Sequence, residues 1–208
     1  MGGAFASGLL AGYGVAVPVG AIGVLIITLS ARTSLRVGVG AALGVAAADC
    51  LYATVAVAGG AAIASVIRPA ATPLRWVAAA VLLAIAARIG YGAWRHFHDP
   101  TRQEAEPALR TAPRAFGGLL GLTLLNPTTV IYFAALVLGQ KSSGTSGGVG
   151  TSVIFVVAVL VASASWQLVL AFGGSALGRT LSSDRGRLAT ALVSSAVIVA
   201  LAVRTLVG

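Results

Sequence analysis

Apolar residues run through this chain in long blocks, separated by short polar or glycine-rich stretches. A bilayer core of about 30 Å needs roughly 20 apolar residues per helix. Six blocks meet that length: 5–29, 37–66, 74–94, 115–138, 149–172 and 188–207. Barrel strands also satisfy the backbone in lipid, but they are short and alternate strictly, which these blocks do not. The pattern predicts an all-α integral membrane protein with six transmembrane helices.

Composition removes the soluble alternative. Hydrophobic residues make up 58% of the 208 positions and charged residues only 9%, against roughly 25% charged in an ordinary soluble domain. Disorder is excluded by the same hydrophobicity. The first positive side chain is Arg32, so the first block lacks the basic start of a signal peptide and reads as a retained span.

Charge sets the expected orientation. With an external N-terminus, ten positive residues fall on the cytoplasmic side: Arg32, Arg36, Arg88, Arg95, Arg102, Arg110, Arg114, Arg179, Arg185 and Arg187. Four fall outside: Arg68, Arg75, Lys141 and Arg204. The positive-inside rule therefore predicts both termini extracytoplasmic, in a plasma membrane. The net charge of +9 is accounted for by the anionic inner leaflet and needs no nucleic acid.

The longest polar stretch, 96–113, splits the chain into two sets of three spans. Three is odd, so the halves face opposite ways, the construction of an inverted-repeat transporter. One transporter domain over 1–208 follows, with halves at 5–94 and 115–207 around a cytoplasmic loop at 95–114. The stretch 139–150 reads as a flexible external linker. Gly8 and Gly12, Gly40 and Gly44, Gly117 and Gly121, and Gly174 and Gly178 have the spacing that lets helix backbones approach closely. A homo-oligomer is compatible with this pattern.

Three features carry chemistry. Asp49 is the acid inside the spans, about 18 Å along its helix. At that depth an acid costs about 2.5–3.5 kcal/mol on insertion scales, so it should face the bundle interior. It serves either as a proton or cation partner, or as a protonated acid bonded to a neighbouring helix. Tyr52, three residues on, is placed to share its face. Asn126-Pro127 interrupts the fourth span. Asn suits an N-cap and Pro the first helical position, which opens a half-helix whose N–H groups would seat a carboxylate; a simple kink is the alternative. Pro18, beside Gly20, interrupts the first span, and matching breaks in two halves point to a midplane binding site. Trp166 and Gln167 lie inside the fifth span, as packing contacts or as ligand groups. Arg88 snorkels to the interface, and His96 and His98 are solvated.

Several chemistries are missing. Cys50 is the one cysteine, so an internal disulfide or thiolate cluster is impossible, and it reads as a packed apolar residue. No metal site, cofactor motif, nucleotide loop or catalytic constellation is present in the sequence, so an enzyme is not expected and uphill transport must use an ion gradient. The expected partners are a small-molecule substrate and the lipid bilayer.

The opening GLLAGYGVAVPVGAIGVLIITLSARTSLRVGVGAALGVAAADCLYA and the segment RAFGGLLGLTLLNPTTVIYF resemble the LysE/RhtB-type amino-acid exporter family. The likeness lies in the Pro-Gly break, the basic turn, the intramembrane Asp49 and the Asn126-Pro127 pair. One position departs from the family pattern: Ala21 follows Gly20 where a further proline is usual. The resemblance implies export of amino acids or related small zwitterions, coupled to the proton or another ion gradient. A metal-cation exporter of related architecture and a non-transporting membrane scaffold are the competing readings. Against the metal reading, the spans lack His, Glu or a second Cys to hold a soft cation.

Overall fold

The computed structural model describes residues 2–18, 20–98, 109–126, 129, 132, 133, 148–180 and 184–207, with backbone alone over 59–72 and at a few further helical positions. Among these residues all regular structure is helical: α1 (Gly2–Ala16), α2 (Ala21–Arg32), α3 (Leu35–His98), α4 (Ala112–Leu124), α5 (Val149–Thr180) and α6 (Asp184–Val207). Two stretches, Leu35–Ala58 and Val149–Gly178, are long and apolar enough to cross a membrane as single helices, and the bent pair α1–α2 passes the same test jointly. The large apolar side chains left on the outside fit that medium. Along α5, Val153, Val157, Val161, Val169 and Phe172 are all about half exposed, an apolar stripe suited to lipid.

The first predicted span is broken where Pro18 falls. Proline has no N–H to donate and its ring crowds the preceding turn. The ladder accordingly ends with Val17 N–H donating to the Tyr13 carbonyl, and α2 restarts from Gly20, whose extended backbone caps it without a side-chain bond. The two pieces meet at 77°.

One element differs from expectation. The second and third predicted spans, 37–66 and 74–94, form a single run of helix through the stretch between them. Alanine-rich sequence there (Ala61, Ala62, Ala64, Ala70, Ala71) has the best helix propensity, while Pro69 and Pro73 each withhold a ladder donor. The run is not straight. A straight helix would put Leu35 and Ile89 about 80 Å apart, yet the guanidinium of Arg32, just before α3, donates to the Ile89 carbonyl at 3.1 Å. The helix therefore doubles back, and its limbs Leu35–Ala58 and Ala79–Gly92 share one core, through Val45 from the first and Leu82 and Ala86 from the second.

Glycine sets the close helix contacts. A Cβ on Gly8 would sit 2.5 Å from the Phe155 carbonyl oxygen, and one on Gly12 2.8 Å from that of Val159, so α1 lies directly on the backbone of α5. Gly40 and Gly44 seat α3 on the backbone of α4 at Ala112 and Phe116, and Gly174 and Gly178 seat α5 on α2 at Ile27 and Ala31. The fourth pair, Gly117 and Gly121, has nothing within 4 Å of its Cβ positions. That spacing makes no helix contact among the described residues, as happens by chance in a glycine-rich chain.

Candidate functional site

Buried apolar residues form two separate clusters. One gathers Leu25 and Ile26 of α2, Val37 to Val45 of α3, Ala115 to Leu122 of α4, Ala171 of α5 and Ile198 of α6. The other gathers Ala11 of α1, Ala53 and Ala56 of α3, Phe133, and Phe155 and Val159 of α5. Four stretches of chain pass from one cluster to the other: the α1–α2 junction, α3 around residue 49, the end of α4 with Thr129 beyond it, and α5 around residue 163. Five of the eight buried polar residues described fall in those crossings: Asp49, Thr123, Thr129, Ser163 and Gln167. The breaks at Val17–Gly20 and Leu125–Asn126 fall there as well. A polar layer thus separates two dry cores, and it holds both helix interruptions.

Asp49 is the centre of that layer. It is 2% exposed, as its membrane depth requires. The hydroxyl of Ser163, fully buried on α5, donates to Asp49 Oδ2 at 2.7 Å, within the range for a hydroxyl on a carboxylate. Ser163 is the one hydrogen-bond partner of Asp49 among the described residues, and Oδ1 takes no bond from them. The carboxyl is therefore oriented by one donor and keeps acceptor capacity for another.

A tyrosine satisfies a carbonyl at the fourth-span break, and another braces α1 from within the second cluster. A helix end leaves its last carbonyls without partners. Tyr52 reaches from α3 to donate to the Leu124 carbonyl at 2.6 Å, at the end of α4. It stacks on Phe133, with ring centroids 6.1 Å apart. Tyr132 donates to the Ala11 carbonyl of α1 at 2.9 Å, and its hydroxyl occupies the space a side chain at Gly14 would need. Tyr13 and Ser165 pair their hydroxyls at 2.9 Å, joining α1 to α5. Tyr52, expected on the face of Asp49, therefore serves the break in the fourth span instead of bonding the acid.

Asn126 lies just beyond α4, its N–H donating to the Thr123 carbonyl at 3.0 Å, so the helix stops where the sequence places a break. Pro127 lies outside the described residues. Pro18 is exposed in the α1–α2 bend, and Gly20 is half-buried at the start of α2. Gln167 is 5% exposed. Its Oε1, and Nε1 of the half-buried Trp166, are sealed from solvent without a hydrogen-bond partner. Arg88 and His98 are exposed, away from the layer.

The sequence reading missed the roles of Ser163 and Tyr132. Ser163 looks like any small residue of a Ser/Ala-rich helix; its one signal is its position four residues before Gln167, on the same face. Tyr132 carries no local signal, because its partner lies 121 residues away.

No curated protein sequence matches the chain, and no solved structure does. The family model described as LysE type translocator matches residues 14–208, from within the first helix to the end. That stretch contains the α1–α2 break, Asp49, the break at Asn126 and Ser163. The chain belongs to the LysE type translocator family, and is a multi-pass membrane transporter.

Proposed function

We propose that this transporter exports amino acids or related small zwitterions across the plasma membrane, driven by an ion gradient. The observation that carries the reading is the polar layer itself, with one oriented carboxyl, Asp49, between two interrupted helices. A zwitterion needs a negative partner for its ammonium and a positive one for its carboxylate. Asp49 Oδ1 suits the first. The start of α2 suits the second, because no side chain caps its N–H groups and the helix dipole is positive there. A half-helix opening at Asn126-Pro127 would add a further seat. Asp49 also suits the coupling step, since a carboxyl can carry a proton across the layer.

The six-span arrangement as two inverted halves belongs to the same proposal. What supports it is direction: the first and fourth predicted spans cross between the two cores in opposite senses, as do the second and fifth. The 10-to-4 charge balance supports external termini. Among the described residues no three His, Cys, Asp or Glu side chains converge, so the observed donors favour an ammonium over a metal cation.

The test is efflux of a panel of labelled amino acids and divalent metals from cells with and without the protein. The reading expects amino-acid efflux alone, and a carboxyl-amidated analogue that competes poorly. Metal efflux would shift the assignment to a cation exporter, and no efflux to a scaffold. Equal competition by the amide, with full transport in Pro127→Ala, would reduce the fourth-span break to a kink.

A further inference from the structure

We propose that Trp166 and Gln167 form a charge-free subsite of the polar layer that reads the substrate's side chain, and that the side chain it fits is a carboxamide. The inference rests on the amino-acid reading above and deepens it.

Ser163, Trp166 and Gln167 stand at i, i+3 and i+4 on α5, and such positions share a helix face. The direction of that face is fixed, because the Ser163 hydroxyl points to Asp49 across the layer. One turn further on, Gln167 is 95% buried with Oε1 unpartnered, and the indole N–H of Trp166 is also buried without an acceptor. Buried polar groups are paired in the large majority of cases. Two neighbouring orphans, one donor and one acceptor, on the face that carries the Asp49 partner mark a ligand that comes and goes.

Charge narrows that ligand. Among the described residues, the crossings of the layer (16–18 and 20, 46–51, 123–126 and 129, 160–167) contain one charged side chain, Asp49. With Asp49 on the ammonium, a cationic side chain has no counter-charge and an anionic one has no cation. Geometry narrows it further. Trp166 and Gln167 are about 100° apart around α5, so a group with donor and acceptor on separate atoms bridges them better than a single hydroxyl. A primary amide does so: its oxygen accepts from Trp166 and its NH2 donates to Gln167. It also pairs with Gln167 whichever way that amide is turned. Both orphaned atoms are sealed in this conformation. The Tyr13–Ser165 bond, one residue from Trp166, ties α1 over this part of α5.

The experiment loads cells with labelled glutamine, methionine, glutamate or lysine. These side chains are of similar length and end in a carboxamide, thioether, carboxylate and ammonium. Wild type should export glutamine at least about tenfold faster than the other three, since a site built to hydrogen-bond rejects analogues that lack the group. Gln167→Met and Trp166→Phe should each pull glutamine efflux down toward that of methionine at equal membrane abundance. Methionine exported as fast as glutamine by wild type overturns the subsite, as does a preference for lysine or glutamate. The wild-type ratio decides alone if the variants fail to assemble. Export of amino acids without glutamine preference leaves the proposed function standing and removes this inference; export of none removes both.

Discussion

Removing the Ser163 hydroxyl is the most selective perturbation of the layer. Ser163→Ala deletes the described hydrogen-bond donor to Asp49, held at 2.7 Å between two fully enclosed side chains. A hydrogen bond to a charged group contributes about 1.5–3 kcal/mol, and 1.36 kcal/mol is a factor of ten. Transport should therefore fall by about 10- to 150-fold. Folding should be spared, because alanine is the best helix former and only one oxygen is removed from α5. The assay is initial efflux rate per unit of protein in the membrane, measured for Ser163→Ala, Asp49→Asn and the pair together. If both act through one bond, the double variant is no worse than the poorer single one, the signature of coupled residues. Wild-type efflux in Ser163→Ala would refute the reasoning, because the acid would then need no orienting partner.

Other contacts give further expectations. Gly12→Val forces a side chain onto the Val159 carbonyl and the Ala162 methyl, 2.8 and 2.7 Å from the Cβ position; overpacking of this kind costs about 1–3 kcal/mol. It should lower the melting temperature of the detergent-solubilised protein, whereas Gly117→Ala, with open space at its Cβ position and better helix propensity, should not lower it. Tyr52→Phe removes the donor to the Leu124 carbonyl, worth about 0.5–1.5 kcal/mol, and should slow efflux severalfold with membrane abundance maintained. A cysteine at Thr101, in a Cys50→Ser background, should resist an impermeant thiol reagent in intact cells; ready labelling would invert the proposed orientation.

What was legible in the sequence were the features that break a rule of the bilayer. Pro18 cannot donate to a helix ladder, and α1 ends two residues before it. Asp49 is an acid in apolar surroundings, and it is buried in the layer. Asn126 marks a break, and α4 stops there. What escaped was whatever depended on a distant partner. Ser163 and Tyr132 are ordinary residues whose roles appear only when α5 meets α3 and residue 132 meets α1. Spacing alone did not separate the glycine pairs that seat a helix from Gly117 and Gly121, whose Cβ positions meet no neighbour among the described residues. The second and third predicted spans are joined by helix through the stretch between them, and that the run doubles back appears only from the contact of Arg32 with Ile89. The division into two cores follows from tertiary contacts that no local pattern encodes.

The central claim is that the polar layer around Asp49 is where substrate and driving ion meet. The direct measurement is gradient-driven uptake of a labelled amino acid, identified by the efflux panel, into liposomes holding purified wild type or Asp49→Asn at equal density. Asparagine keeps the shape and an acceptor for Ser163 while losing the charge. The account predicts that an imposed proton gradient drives accumulation in wild type and none in Asp49→Asn, with the variant folded and inserted normally. Equal gradient-driven accumulation by the two proteins would contradict it.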